Sequence, residues 1–303
     1  MTRLFHAYIM VDWSAAQTPK TGKDSVWIGL MKRDIRFRPS FEAFNPATRA
    51  EAELKIREIL GDLKRRNERA LIGFDFNLGY PRGLASALKV KDENWAGVWA
   101  FLASNVVDKK DNTNNRFAVA AKMNRLMTDQ PWPFWGCPPK DAQRWLTPTK
   151  PTDPAAEGTL PVYRHTEVAA HTNAKVQPKP AWQLMGAGSV GGQIIVGVPA
   201  AKRLVDELGA KAAVWPFSTG WKALDETDLE GVEALLCEVY PALVAAKAEA
   251  GEAPDRPQVR ALCEHVYKLD EAGKLNTQFA APKDIDDDVR QVVEREEGWI
   301  FGV

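Results

Sequence analysis

The chain has 303 residues, 45% apolar and 26% charged, enough for one large core. Forty basic residues balance forty acidic ones, which argues against a general duplex-binding surface and toward a small or specialised phosphate ester. Cys137, Cys237 and Cys263 are widely spaced and odd in number, so a reducing cytoplasm is expected rather than a disulfide framework. No apolar run approaches the ~18 residues of a membrane span, and Asp12 interrupts the first eleven residues too early for a signal peptide.

Residues 7–12, AYIMVD, are continuously apolar and then acidic, the pattern of a central strand buried on both faces. Residues 25–32 alternate, with Val26, Ile28 and Leu30 on one face. IRFRPSFEAF, residues 35–44, predicts a third strand with Pro39 favouring an edge. Short connections make an antiparallel meander the expected arrangement of the three. A helix follows, with Asn45 as its cap, Pro46 at the first helical position and a stripe of Ile56, Ile59, Leu60 and Leu63. Ala70 to Phe74 then form a buried strand that again runs into an acid, Asp75.

Residues 95–147 predict helical pieces ending in the proline-laced aromatic loop PWPFWGCPPK. Residues 148–180 hold six prolines and few large apolar side chains, which predicts an ordered excursion or a flap rather than core. AAKRLVDELG is a second clear helix stopped by Gly209. AAVWPF and ALLCEVYP are two further strands, the second carrying Glu238. DRPQVRALCEHVYKL begins a third helix at Asp255. No repeat and no domain boundary are evident, so one domain spanning 1–303 is expected, with an insertion at about 95–200.

Strand, strand, strand, helix, strand is the order of the ribonuclease H fold, an α/β class with a mixed sheet. There the ends of the first and fourth strands are neighbours. Asp12 and Asp75 would lie side by side, and paired carboxylates repel unless a proton or cation lies between them. Mg²⁺ or Mn²⁺ suits such hard oxygen ligands, and two ions could clamp the attacking and leaving oxygens of a phosphodiester. Glu238 and Asp255 are the acids best placed to complete the catalytic and metal-binding set. Each acid also has a plainer reading: Asp75 could organise the turn before NLGYP, and Asp255 suits a helix N-cap.

VDWSAA, GFDFNLGYP, GAGSVGGQ, VWPFSTG, EVYP, DRPQV and EEGWIFGV together resemble a family of uncharacterised bacterial proteins described as predicted nucleases with a ribonuclease H fold. The resemblance runs through most of the chain and is weakest at 148–180. It implies that Asp12, Asp75, Glu238 and Asp255 are the family's acidic positions. The match is loosest at Asp255, for which Asp286, Asp287 and Asp288 are possible substitutes. A divalent-metal-dependent phosphodiester hydrolase is therefore expected, acting on nucleic acid or a nucleotide-like phosphate ester.

Ser14, Lys20 and Lys23, after Asp12, are candidates to reach a phosphate, although a solvated hairpin tip fits the two lysines equally well. GAGSVG matches the dinucleotide fingerprint in form, but the run before it is short and the helix after it meets Pro199. A tight turn opening a helix is the better reading, with Gly188, Ser189 and nearby amides holding a phosphate. Among eleven tryptophans, Trp132 and Trp135 could stack a base or another flat ring. The P-loop, nucleophile-elbow and zinc patterns are incomplete. Two alternatives share the fold: an ATP-dependent phosphotransferase of the sugar kinase or actin-like type, and a non-enzymatic scaffold whose acids serve structure.

Overall fold

Six strands form one mixed sheet in the order β3-β2-β1-β4-β6-β5, and helices cover both faces, an α/β architecture. The computed structural model describes residues 3–152, 160–172 and 177–303. β1 (Ala7–Asp12) pairs antiparallel with β2 (Trp27–Arg33), which pairs antiparallel with β3 (Pro39–Phe44). The chain crosses over through α1 (Arg49–Lys64) and returns as β4 (Ala70–Phe74), parallel to β1. The short α2 (Leu84–Ala87), α3 (Trp95–Asn105), α4 (Arg116–Met127), α5 (His165–His171) and α6 (Gly191–Leu208) separate β4 from the last two strands. β5 (Ala212–Val214) takes the edge and β6 (Ala234–Glu238) lies between it and β4, both parallel. α7 (Arg256–Glu271) and α8 (Asp287–Val292) end the fold.

The uninterrupted apolar run of β1 follows from burial on two sides. Ala7, Ile9 and Val11 pack with the α1 stripe and with Ile194, Val198 and Leu204 of α6. Tyr8 and Met10 face a second core with Val259, Leu262, Cys263 and Val266 of α7. Burying each large aliphatic chain contributes about 1.5–3 kcal/mol, so the sheet is held from both faces and its strand ends are fixed. None of the described helices is long and apolar enough to cross a membrane.

Four local expectations differ. β3 begins at Pro39, because Asp34 accepts from the backbone N–H groups of Arg36 and Arg38 and folds residues 34–38 into a turn. α1 is capped by Thr48, whose hydroxyl accepts from Glu51 N at 3.2 Å, and not by Asn45. The Asn45 side chain instead accepts from Gly22 N and donates to Ser25 Oγ and Val26 O, pinning the β1–β2 loop. The helix read at 200–209 is the second half of the 18-residue α6, which runs through a buried Pro199. Finally, residues 153–159 and 173–176 of the proline-rich stretch lie outside the described residues, but Arg164, Thr166 and Glu167 within it are buried against the sheet ends.

Candidate functional site

β1, β4 and β6 are parallel neighbours, so their acidic ends emerge on one side of the sheet. Asp12 is the last residue of β1, and Asp75 follows β4 directly. Their carboxyls are close neighbours, near enough that each perturbs the other's titration. Burial, then the Asp75 charge and the bond to it, then Asp255 and Asp24, hold the Asp12 carboxyl far above the usual range. Burial raises Asp75 as well, against the bond that Trp13 N donates to its Oδ1 at 2.7 Å.

Asp255 occupies the N-cap position of α7 but makes no side-chain bond to its own helix. Its Oδ2 accepts from Asp24 N at 2.7 Å, tying the β1–β2 loop to α7. Burial raises its carboxyl, while the bond from Asp24 and the charges of Lys23 and Lys20 work in the opposite direction. Asp255 thus belongs to the same acidic neighbourhood as Asp12 and Asp75. Asp286, Asp287 and Asp288 lie at the exposed start of α8, where Asp286 accepts from Asp288 N.

Glu238 is at the end of β6 as expected, but its carboxylate is engaged elsewhere. Arg164 donates to Oε1 at 2.5 Å and to Oε2 at 2.8 Å, and Leu78 N adds a bond at 3.1 Å. Arg164 also binds Glu167 and the carbonyl of Glu297, with no exposed surface. Burial opposes the charge on Arg164, but Glu167 and Glu238 outweigh it and hold the guanidinium charged. The expected four-acid cluster therefore resolves into a pair, Asp12 and Asp75, a nearby Asp255, and a Glu238 inside a buried ion network. Among the described residues, no group of three or more His, Cys, Asp or Glu is arranged to hold a metal.

A cleft of about 250 Å³ opens beside the pair, lined by Asp75, Asn77, Lys179, Gln193, Glu238 and Gln258 among others. Gly188 reaches this cleft with φ +71°, whereas the Ser189 amide is taken up within the turn by Gly186 O at 3.1 Å. The Ser14 hydroxyl donates to Asp24 O and accepts from Ala16 N, a structural role inside the loop. Lys20 and Lys23 are exposed, and Lys20 pairs with Asp24 at 3.6 Å. Trp132 is buried rather than available for stacking, and the Trp135 backbone is bonded to Trp182 and Leu184, apart from the cleft lining. Arg164, Gln193 and Asn77 carry little signal in the sequence. Arg164 sits in a segment without periodicity, whereas Asn77 two residues after Asp75 and Gln193 at the end of GAGSVGGQ lie in motifs the sequence offered without marking these side chains. No family model, no curated protein and no solved structure matches this chain.

Proposed function

We propose that this chain is a divalent-metal-dependent phosphodiester hydrolase of ribonuclease H-like fold, acting on a nucleotide-like phosphate ester. The observation that carries the reading is the Asp12–Asp75 pair, two neighbouring buried carboxyls at the ends of adjacent parallel strands. The strand order β3-β2-β1-β4, with α1 before β4, supports the fold assignment. The donor set fits Mg²⁺ or Mn²⁺, which use one or two carboxylates and leave other positions to water and substrate phosphate oxygens. Such an ion, when bound, neutralises charge on the phosphate and makes water a better nucleophile.

The remaining roles belong to this chain. Asp12 and Asp75 would hold the cation once both carboxyls are ionised. Asp255 fixes the loop carrying Lys20 and Lys23, two exposed cations of which Lys20 is paired with Asp24. Asn77, Gln193 and Gln258 line the cleft that receives the rest of the substrate. Mn²⁺ and Mg²⁺ titration by calorimetry, wild type beside Asp12→Asn/Asp75→Asn, tests the proposal, followed by hydrolysis of a chromogenic phosphodiester. Binding and turnover lost together in the double variant support it; undiminished hydrolysis in that variant refutes it. The Glu238–Arg164 pairing favours a second reading, a scaffold whose acids are structural, which predicts no metal-dependent turnover at all.

A further inference from the structure

α6 opens with GGQIIVGVPAA, in which every residue is buried except Gln193, the one polar side chain of the run. Gly191 and Gly192 bring this turn tightly against the chain around it. A Cβ on Gly191 would stand 2.3 Å from Ala181 O. One on Gly192 would stand 2.8 Å from Leu184 O and 3.4 Å from the Ala15 Cβ. Larger residues would hold the helix away, so the two glycines set how closely Gln193 approaches residues 13–15.

Gln193 uses that approach. Its Nε2 donates to Trp13 O at 2.6 Å, and because a carbonyl can only accept, this bond fixes which way the amide is turned. Trp13 directly follows Asp12, and its own N–H donates to Asp75 Oδ1 at 2.7 Å. Gln193 therefore grips the residue that is bonded covalently to Asp12 and by hydrogen bond to Asp75. The carbonyls of Ser14 and Ala16 belong to Arg49 of α1, which leaves Trp13 O to α6. A tie needed for packing alone would lie inside the core. This one is half-buried, on the wall of the cleft that Asp75 also lines.

We propose that Gln193 is a positioning residue: its bond to Trp13 O keeps the Trp13 N–H aimed at Asp75 and so fixes the placement of the two acids relative to each other. Two carboxylates that share a cation at 2.0–2.6 Å tolerate little drift, and the partners behind metal ligands commonly govern affinity. That the pair holds a cation rests on the hydrolase reading; the clamp on Trp13 does not. Two measurements on wild type, Gln193→Met and Gln193→Asn test it. The first is the amide proton shift of Trp13 by NMR in the metal-free protein, and the second is Mn²⁺ titration by calorimetry. Gln193→Met keeps the length without the donor, and Gln193→Asn keeps the amide but is one carbon too short to reach.

In both variants the Trp13 amide should move upfield as its bond to Asp75 lengthens, while the Ile72 amide inside β4 stays in place. A general loosening of the fold would not single out Trp13 in this way. Mn²⁺ should bind about three- to tenfold more weakly, the change expected from one lost hydrogen bond behind a ligand. An unmoved Trp13 amide in Gln193→Met overturns the proposal whatever the metal does. A moved amide with undiminished Mn²⁺ affinity also overturns it. If Gln193→Met fails to fold, Gln193→Asn decides by the same two readings. A wild type that binds no Mn²⁺ sinks the hydrolase reading and the cation with it, and a Trp13 amide that still moves then assigns the clamp on the pair alone.

Discussion

Asp12 and Asp75 keep a proton that neither would hold alone in water, and this has a defined consequence for stability. Both carboxyls titrate above the ~3.9 of an unfolded chain. The folded state thus binds more protons than the unfolded one across the window between the two values. Stability is fully present below the unfolded value and falls as pH rises through the folded ones. Asp12→Asn is neutral throughout and keeps a donor for Asp75. It should melt about 2–4 °C above wild type near pH 8, the shift that about 1 kcal/mol makes in domains of somewhat smaller size. The advantage should vanish toward pH 4. Millimolar Mg²⁺ should raise the wild-type melting temperature near pH 8 and leave that of Asp12→Asn unchanged. Thermal melts across pH, with and without Mg²⁺, check both, and a variant that melts below wild type near pH 8 would contradict the strain argument. Glu238→Gln should behave oppositely. It leaves Arg164 buried against Glu167 alone, so a loss of about 3–5 kcal/mol in urea denaturation is expected at every neutral pH.

At the scale of elements, the strands were readable because an unbroken apolar run closed by an acid, as at Asp12, Asp75 and Glu238, is what a doubly covered strand meeting a polar edge requires. The β3 start and the α1 cap were not, since Asp34 and Asn45 make bonds that only the folded hairpin presents. Arg164 was hidden for a related reason: its partner Glu238 is 74 residues away, and no local pattern marks a residue whose role is set by a distant strand end. The turn that opens α6 was legible in GAGSVG as part of the site, but the tight packing of the helix middle against it was not. A Cβ at Gly197 would come within 2.6 Å of the Phe76 ring, and Phe76 directly follows Asp75. Gly197→Ala must push α6 or the Asp75–Phe76 segment outward. Overpacking of this kind costs about 1–3 kcal/mol. The expected result is a lower denaturation midpoint together with weaker Mn²⁺ binding, because the displaced backbone carries Asp75. Destabilisation with unchanged Mn²⁺ affinity would mean that the helix yields and the acid pair does not move.

For the whole molecule, on the proposed hydrolase reading, charge favours a small ester over a polymer. The chain is neutral overall, and the cleft beside Asp75 carries Glu167 and Glu238 with Lys179 as its cation among the lining residues. Duplex binding draws its affinity from releasing counterions as several Lys and Arg neutralise phosphates, and acids in the groove oppose that. The cleft is lined by Gln258 of α7, by Pro178 and Lys179, and by Tyr240 to Ala242 beyond the end of β6. A space of about 250 Å³ among the described residues is the size of one nucleotide-sized group. With Mn²⁺ present, the protein should hydrolyse a small phosphodiester and show no duplex DNA binding at about 0.1 M salt in a fluorescence-anisotropy titration. Tight duplex binding with a steep salt slope would place the contact surface elsewhere, on exposed arginines such as Arg36 and Arg66, and would return the substrate to nucleic acid.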